Sequence, residues 1–473
     1  MKRLVVLAVL AGLLPAFRTS AQEGGDGSAP TVLTLDQAIQ IALSENIAVR
    51  VADKDIERAE YARKGTYASL FPQVDGSSSY SRTIKKQVMY MDFDMSSLGG
   101  GGAGSGDEGV ETKASGGSRS NTGGGIEVGR WNTSSAGIQA SMPLVNAQLW
   151  RSIKISGQDV ELAVEKARSS RLETVTQVKQ AFYGVLLAKE AFNVYKEVYE
   201  NALDNFTQTE KKYNADKASE LEYQRAKSTV QNAIPNVYDA ENAVVLGLWQ
   251  LKAVMGIDLD EDIDVAGSLM DYSQTMFRDI VENDDVSLER NSTMRQLAIQ
   301  AEELANTVKM QQYANLPSLA LSFSYSLNAM ANDYKFSTYN WSPYSAAGLS
   351  LSIPIFAGGR RTNAIKQTQN QRDQLLLQTE NTERQLKVAI RQYLNQMETA
   401  MKNFSAAESG VETARKAYDI AAKSYNLGRS TITELNDAQL ALTQALLAQS
   451  QSVYNFVVAK ASLEQTLGKD IES

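Results

Sequence analysis

The chain has 473 residues, 47 of them basic and 55 acidic, for a net charge of −8, and it contains neither cysteine nor histidine. Those two absences exclude disulfides, thiolate sites, a cysteine acceptor for an N-terminal lipid, Ser-His-Asp and Cys-His nucleophiles and the common zinc ligand sets, so no catalytic residue, metal or cofactor is expected. An acidic balance without a basic stripe offers nucleic acid no footprint, and without a Walker A sequence the chain is no motor.

Met1-Lys2-Arg3 is basic, Leu4–Leu14 is apolar, and Thr19-Ser20-Ala21 ends on the small residue that a signal peptidase accepts. Residues 1–21 therefore read as a signal peptide, because the apolar run falls short of the ~20 residues that span ~30 Å of hydrocarbon. A Gly/Ser-rich stretch to Pro30 reads as disordered. Thr34 with Gln37 three residues on forms a capping box that opens a helix toward Leu70, stopped before Pro72. A strand pair is expected at 73–83 and 133–143, separated by the Gly/Ser-rich segment Gly99–Gly125, which reads as an exposed loop. A long coiled-coil hairpin over 144–255 follows, with Pro235 expected to kink or break its return helix. Residues 257–286 read as a linker; their cluster of Asp258, Asp260, Glu261, Asp262 and Asp264 lacks the glycine of a calcium loop and is expected to be solvated.

The second half repeats the order: a helix from 287, strands at 318–328 and 345–354, and a hairpin over 359–467. Asn46, Arg50, Glu57, Pro72 and Tyr80 recur 245 positions later as Asn291, Arg295, Glu302, Pro317 and Tyr325, while Tyr213, Asn214 and Gly256 recur at 212 as Tyr425, Asn426 and Gly468. One unit has been duplicated in tandem, over 22–256 and 287–473. In the second copy Leu386, Ile390, Tyr393, Met397, Ala400, Phe404, Ala407, Val411, Ala414, Tyr418, Ala421 and Tyr425 keep strict 4-3 spacing, and the first copy keeps the same register from Val178 to Tyr213. A sustained repeat of 3.5 residues means coiled-coil packing, and alanines alternating with large residues let helices approach closely.

Leu319, Leu321, Phe323, Tyr325 and Leu327 alternate with small polar residues, the pattern of a strand with one apolar face. Tyr80, Trp131, Tyr325, Tyr339, Trp341 and Tyr344 gather around the strands, as a membrane–water interface recruits them; an ordinary sheet core is the competing reading. A bilayer admits only helices or closed barrels, and four strands cannot close. Three copies would bring twelve strands and twelve long helices. The expected fold is thus a transmembrane β-barrel joined to a long coiled-coil α-helical barrel, built as a homotrimer from the duplicated unit, with a twelve-strand barrel and a twelve-helix tunnel.

Leu33–Ala38, the helix ends at Pro72 and Pro317, Ser352-Ile353-Pro354-Ile355-Phe356-Ala357-Gly358-Gly359 and the run from Tyr425 to Ala438 resemble the TolC family of outer membrane factors. The resemblance implies a passive exit duct for efflux or type I secretion in the outer membrane of a Gram-negative bacterium. Its partners would be two further copies, outer membrane lipid, a periplasmic adaptor and an inner membrane pump. It also implies a periplasmic gate at Tyr425, Glu434 and Asp437, with Glu220 and Arg225 in comparable places in the first copy, and an adaptor docking tip at Leu427, Gly428 and Arg429. The family's basic latch residue falls at Ser430, one place after Arg429. The first turn, Tyr213–Leu221, reads as two residues shorter than Tyr425–Leu435. Glu434 and Asp437 share a helix face, and on a threefold axis would gather six carboxylates; the competing reading is of solvated charges stabilised by a helix start. A coiled-coil scaffold without a pore is the alternative function, and an enzyme would have only dispersed carboxylates to use. The transported substrate is not readable, and Met89, Met91 and Met95, the one methionine cluster, read as loop residues.

Overall fold

The structure is a computed structural model that describes residues 31–89, 126–274, 276 and 287–469. Residues 1–30, read above as a signal peptide and a Gly/Ser-rich stretch, the segment Gly99–Gly125, Met91 and Met95 lie outside the described residues. In chain order the elements are β1 (Thr31–Leu33), α1 (Leu35–Glu45), α2 (Ile47–Ala68), β2 (Gln73–Arg82), β3 (Gln87–Met89), β4 (Ile126–Val128), β5 (Asn132–Val145), α3 (Ala147–Asn214), α4 (Glu220–Met255), β6 (Ile263–Val265), α5 (Ser292–Tyr313), β7 (Ser318–Ala331), β8 (Ser342–Ser352), α6 (Arg360–Asn426) and α7 (Ile432–Leu467). The chain folds into two compact units, to each of which α3 and α6 contribute a segment.

At 68 and 67 residues, α3 and α6 would each extend about 100 Å at ~1.5 Å per residue. What sustains such length is the heptad seam: every seam residue from Val178 to Tyr213 and from Leu386 to Tyr425 is buried or half-buried. On the opposite face of α6, Glu380–Arg384, Glu383–Lys387, Glu398–Lys402 and Glu412–Lys416 pair with the acid one turn toward the N-terminus, the better orientation for a helix.

The first unit holds α1, α4, the distal parts of α3 and α6 and most of α7. Thr34 caps α1 with Gln37 in the expected capping box. The helix predicted to run unbroken to Leu70 is instead two, because Asn46 is extended (ψ 129°) and its side chain donates to Val254 O at 2.6 Å, in the last turn of α4. A Cβ on Gly256 would sit 2.8 Å from Glu45 O, so only glycine allows this approach. Pro235 does not break α4. Ala226, Ala233 and Ala240 are buried at intervals of seven, so one seam is held on both sides of the proline. Within the acidic segment β6 pairs in parallel with β1, Ile263 and Val265 are buried, and Asp264 is ion-paired with Lys189; residues 275 and 277–286 lie outside the described residues. Asp258, Asp260, Glu261 and Asp262 are exposed, as expected.

In the second unit, β2, β5, β7 and β8 form one antiparallel sheet in that order. The strands are longer or shifted relative to expectation; β8, for example, begins at Ser342 and ends before Pro354, whose ring cannot donate to the ladder. The junction between copies recurs here at matched positions. Asn291 caps α5 by accepting from Met294 N–H (2.9 Å) and donates to Thr466 O (2.6 Å), and a Cβ on Gly468 would collide with Arg290 O. Arg168 on α3 ties the same corner by donating to Arg290 O and Gly468 O. Asn291→Ala removes a buried cap and leaves the Thr466 carbonyl unpaired, which costs about 2 kcal/mol. Thermal unfolding should show a lower transition for Asn291→Ala and a larger loss for Asn291→Asp, which keeps the cap but sets a buried carboxylate oxygen against the Thr466 carbonyl.

Candidate functional site

Two regions carry the residues singled out by sequence. The first is the hairpin tip of the first unit, where both copies end their long helices in the same way. Gly428 N–H donates to Tyr425 O (3.0 Å) and Arg429 N–H to Ser424 O (2.8 Å); in the first copy Asp216 N–H donates to Tyr213 O (3.0 Å) and Lys217 N–H to Lys212 O (2.7 Å). Each is a Schellman turn whose central residue is left-handed, at φ +71° for Gly428 and +56° for Asp216. Aspartate tolerates that conformation better than most residues, which is how the first copy dispenses with glycine.

The return helices restart on matched capping boxes. Ser219 Oγ accepts from Glu222 N–H (3.2 Å) and Glu222 Oε2 from Ser219 N–H (2.9 Å); Thr431 Oγ1 accepts from Glu434 N–H (3.3 Å) and Glu434 Oε2 from Thr431 N–H (3.1 Å). Ser219 and Thr431 lie 212 apart, so the two turns are equally long. The first turn is therefore not shorter, and the counterpart of Glu434 is Glu222. Glu220 matches Ile432 instead and is exposed in the first turn of α4.

Tyr425 is buried, and its hydroxyl shares a hydrogen bond with Thr209 Oγ1 (2.5 Å). Lys212 Nζ lies 4.7 Å from the Tyr425 ring and donates to Tyr425 O at 3.1 Å. Ala226, Ile432 and Leu435 complete the packed cluster. Arg225 donates to Thr433 Oγ1 (3.2 Å) and Asn436 to Thr229 Oγ1 (3.1 Å), which join the two hairpins again just above the turn. Glu434 and Asp437 are exposed, as are Leu427, Gly428 and Arg429. Thr209, Lys212 and Glu222 were missed as site residues, although Thr209 shows itself in sequence as the one aliphatic hydroxyl on the first-copy seam.

Burial pushes the Tyr425 phenol above its ordinary range, opposed by the Thr209 hydrogen bond and reinforced by the Glu222 carboxylate. The fold therefore favours the neutral phenol. Its contribution is intact below the unfolded value near pH 10 and is lost as pH rises through the higher folded value. Tyr425→Phe should cost about 1 kcal/mol at neutral pH through the lost bond to Thr209 Oγ1, whose own proton goes to Asn205 O (2.8 Å), and should also reduce the alkaline dependence of tip unfolding followed by hydrogen exchange, leaving the share that belongs to the half-buried Tyr418 phenol.

The second region is the sheet. Opposed partners such as Leu349–Leu321–Met142 and Phe323–Ala140–Val74 share a face, and so form a continuous apolar ladder. Leu321, Phe323 and Tyr325 are 41%, 45% and 40% exposed, whereas Ser322, Ser324 and Ser326 between them are less so. On β7, then, the apolar side is the more exposed one, which reverses the rule for a soluble protein. Tyr80, Trp341 and Tyr344 are exposed near one end of the strands, and Trp131 is half-buried there under Lys86. Two aromatics differ from expectation. Tyr339 is buried against Ala329 and Ala331, with its hydroxyl donating to Asp333 O, and Tyr325 stands in mid-strand.

A sheet with an exposed apolar ladder, in a chain that also carries two long helical hairpins, is what bacterial outer membrane channels combine. The chain aligns with the Campylobacter jejuni CmeC outer membrane channel at a TM-score of 0.68 and 18% identity, covering 92% of this chain and 85% of that one. It also aligns with the CusC channel at 0.67 and 16% identity, covering 95% of each. Its sequence matches the outer membrane efflux protein family over residues 109–257 and 285–469, and the chain belongs to that family. Similar curated proteins include Escherichia coli outer membrane protein TolC, 21% identical over 71% of this chain and 70% of its own length. Another is the Pseudomonas aeruginosa alkaline protease secretion protein AprF, 22% identical over 69% and 68%.

Proposed function

We propose that the protein is the outer membrane exit duct of a tripartite efflux or type I secretion system: a passive homotrimeric channel, gated at its helical tip and docked there by a periplasmic adaptor and an inner membrane pump. One observation carries the reading. The sheet leaves its apolar ladder exposed and ends on β2 and β8, edge strands with no further partner in the sheet among the described residues. In hydrocarbon, unpaired backbone donors and acceptors cost several kcal/mol each, so those edges require pairing with further copies. Three copies would close a barrel of twelve strands, a size found among membrane barrels. Mass measurement and single-channel recording of the detergent-solubilised protein test this: a conducting trimer is expected. A stable monomer, or a trimer without conductance such as a coiled-coil scaffold would give, overturns it.

At the tip, threefold symmetry would bring Glu434 and Asp437 from each copy to one narrow axis, six carboxylates that attract cations and repel anions. Tyr425, held by Thr209 and Lys212, and Arg225, held by Thr433, act as ties that keep the hairpins closed. Replacing Glu434 and Asp437 with alanine should raise anion permeability and lower sensitivity to divalent cations. Unchanged selectivity would place both carboxylates outside the pore. Leu427-Gly428-Arg429 is the adaptor docking tip, an exposed turn of fixed shape. Gly428→Val strains the left-handed turn by about 1–2 kcal/mol and should abolish export while trimers persist; normal export by that variant would move the docking site elsewhere.

A further inference from the structure

We infer that the outer end of the sheet binds the phosphorylated headgroup of an outer-leaflet glycolipid, a site that rests on the barrel reading above. The chain as a whole carries −8, yet Arg82, Lys85, Lys86, Arg130 and Lys335 lie where β2, β5 and β7 end. None of the five cations is held in an ion pair among the described residues.

Arg82 opposes Asn132, and Asn132 opposes Ala331. By the two-residue alternation of strands, Arg82 therefore stands on the face that carries Leu321, Phe323, Tyr325 and Leu327. Its guanidinium lies over the Tyr334 ring at 4.8 Å, and Lys86 Nζ over the Trp131 ring at 4.8 Å. Thr83 N–H to Trp131 O (2.8 Å) and Trp131 N–H to Asn332 Oδ1 (3.3 Å) fasten the Trp131–Lys86 pair to the rim where Arg82 stands. Below them Tyr80 packs on Phe336 at 5.8 Å, and Phe336 on Tyr339 at 5.1 Å.

Along the face of Arg82 the order is thus apolar ladder, aromatic cluster, cation, with Lys86 on the adjoining rim. A leaflet presents acyl chain, interface and phosphate in the same order. An aromatic ring fixes where a cation sits without neutralising it, which leaves the charge available to an anion. Because Arg82 shares its face with the side chains that would touch acyl chains, the favoured anion is one attached to a lipid.

The test is native mass spectrometry of the full chain reconstituted with diphosphorylated lipid A, with dephosphorylated lipid A as control, alongside single-channel recording. The wild type should retain the phosphorylated lipid on the order of tenfold better than Arg82→Gln/Lys86→Gln/Lys335→Gln. Both proteins should hold the dephosphorylated lipid equally weakly, with the same conductance. The charge-conserving Arg82→Lys/Lys86→Arg/Lys335→Arg variant should keep the lipid, which separates lost charge from lost folding. Equal retention by the wild type and the glutamine variant, or displacement of the lipid by millimolar inorganic phosphate, overturns the proposal while conductance leaves the duct reading standing. A wild type that neither inserts nor conducts overturns both.

Discussion

The constraint on which the rest depends is that a backbone donor or acceptor in hydrocarbon needs a partner. β5 and β7 satisfy theirs within the chain, whereas β2 and β8 each have one side that the sheet leaves open. A soluble protein would blunt such edges with charge or proline, because they are templates for aggregation. Here β2, Gln73–Arg82, carries charge only at Asp75 and at its last residue, and β8 is Ser-rich with its one proline, Pro343, beside its start and with Leu349 and Leu351 exposed, so the middle of each edge is kept able to pair. The proposed closure by three copies turns this liability into the assembly interface, and ties membrane insertion to oligomerisation.

Duplication explains how so long a chain stays regular. The Schellman turns at Asp216 and Gly428, the capping boxes at Ser219 and Thr431, and the amide-to-carbonyl junctions at Asn46 and Asn291 are each one device used twice. The copies have diverged where they meet at the tip. Tyr425 is buried against Thr209 with Lys212 over its ring, while its counterpart Tyr213 stacks on Tyr223 at 5.0 Å. One copy supplies the tie and the other supplies its socket.

What the sequence made legible follows from how local each signal is. The heptad seams, the Thr34 capping box and the β7 alternation are short-range patterns, and the structure places them as read. The break at Asn46 is invisible in periodicity, because its cause is Val254, two hundred residues away. β1 and β6 are three residues each and exist only by pairing with one another. The continuity of α4 through Pro235 depends on a seam that a lone proline outweighs when read without its neighbours. At the tip, matching Leu221 with Leu435 aligned side chains of similar kind. The structural equivalence runs through the capping hydroxyls of Ser219 and Thr431, and it brings Glu222 rather than Glu220 into the place of Glu434.

The constant spacing between tip and junction has a consequence for how such proteins can change length. Tyr213 to Gly256 and Tyr425 to Gly468 span the same number of positions, and the hairpins they close are cross-tied at Thr209–Tyr425, Arg225–Thr433 and Thr229–Asn436. An insertion in one arm would slide its seam out of phase and pull the junction asparagine off its carbonyl. Growth is therefore quantised: whole heptads, added to both arms of both hairpins together. The helical region behaves as a ruler, whose graduations are seven residues apart and whose four scales must be recut at once.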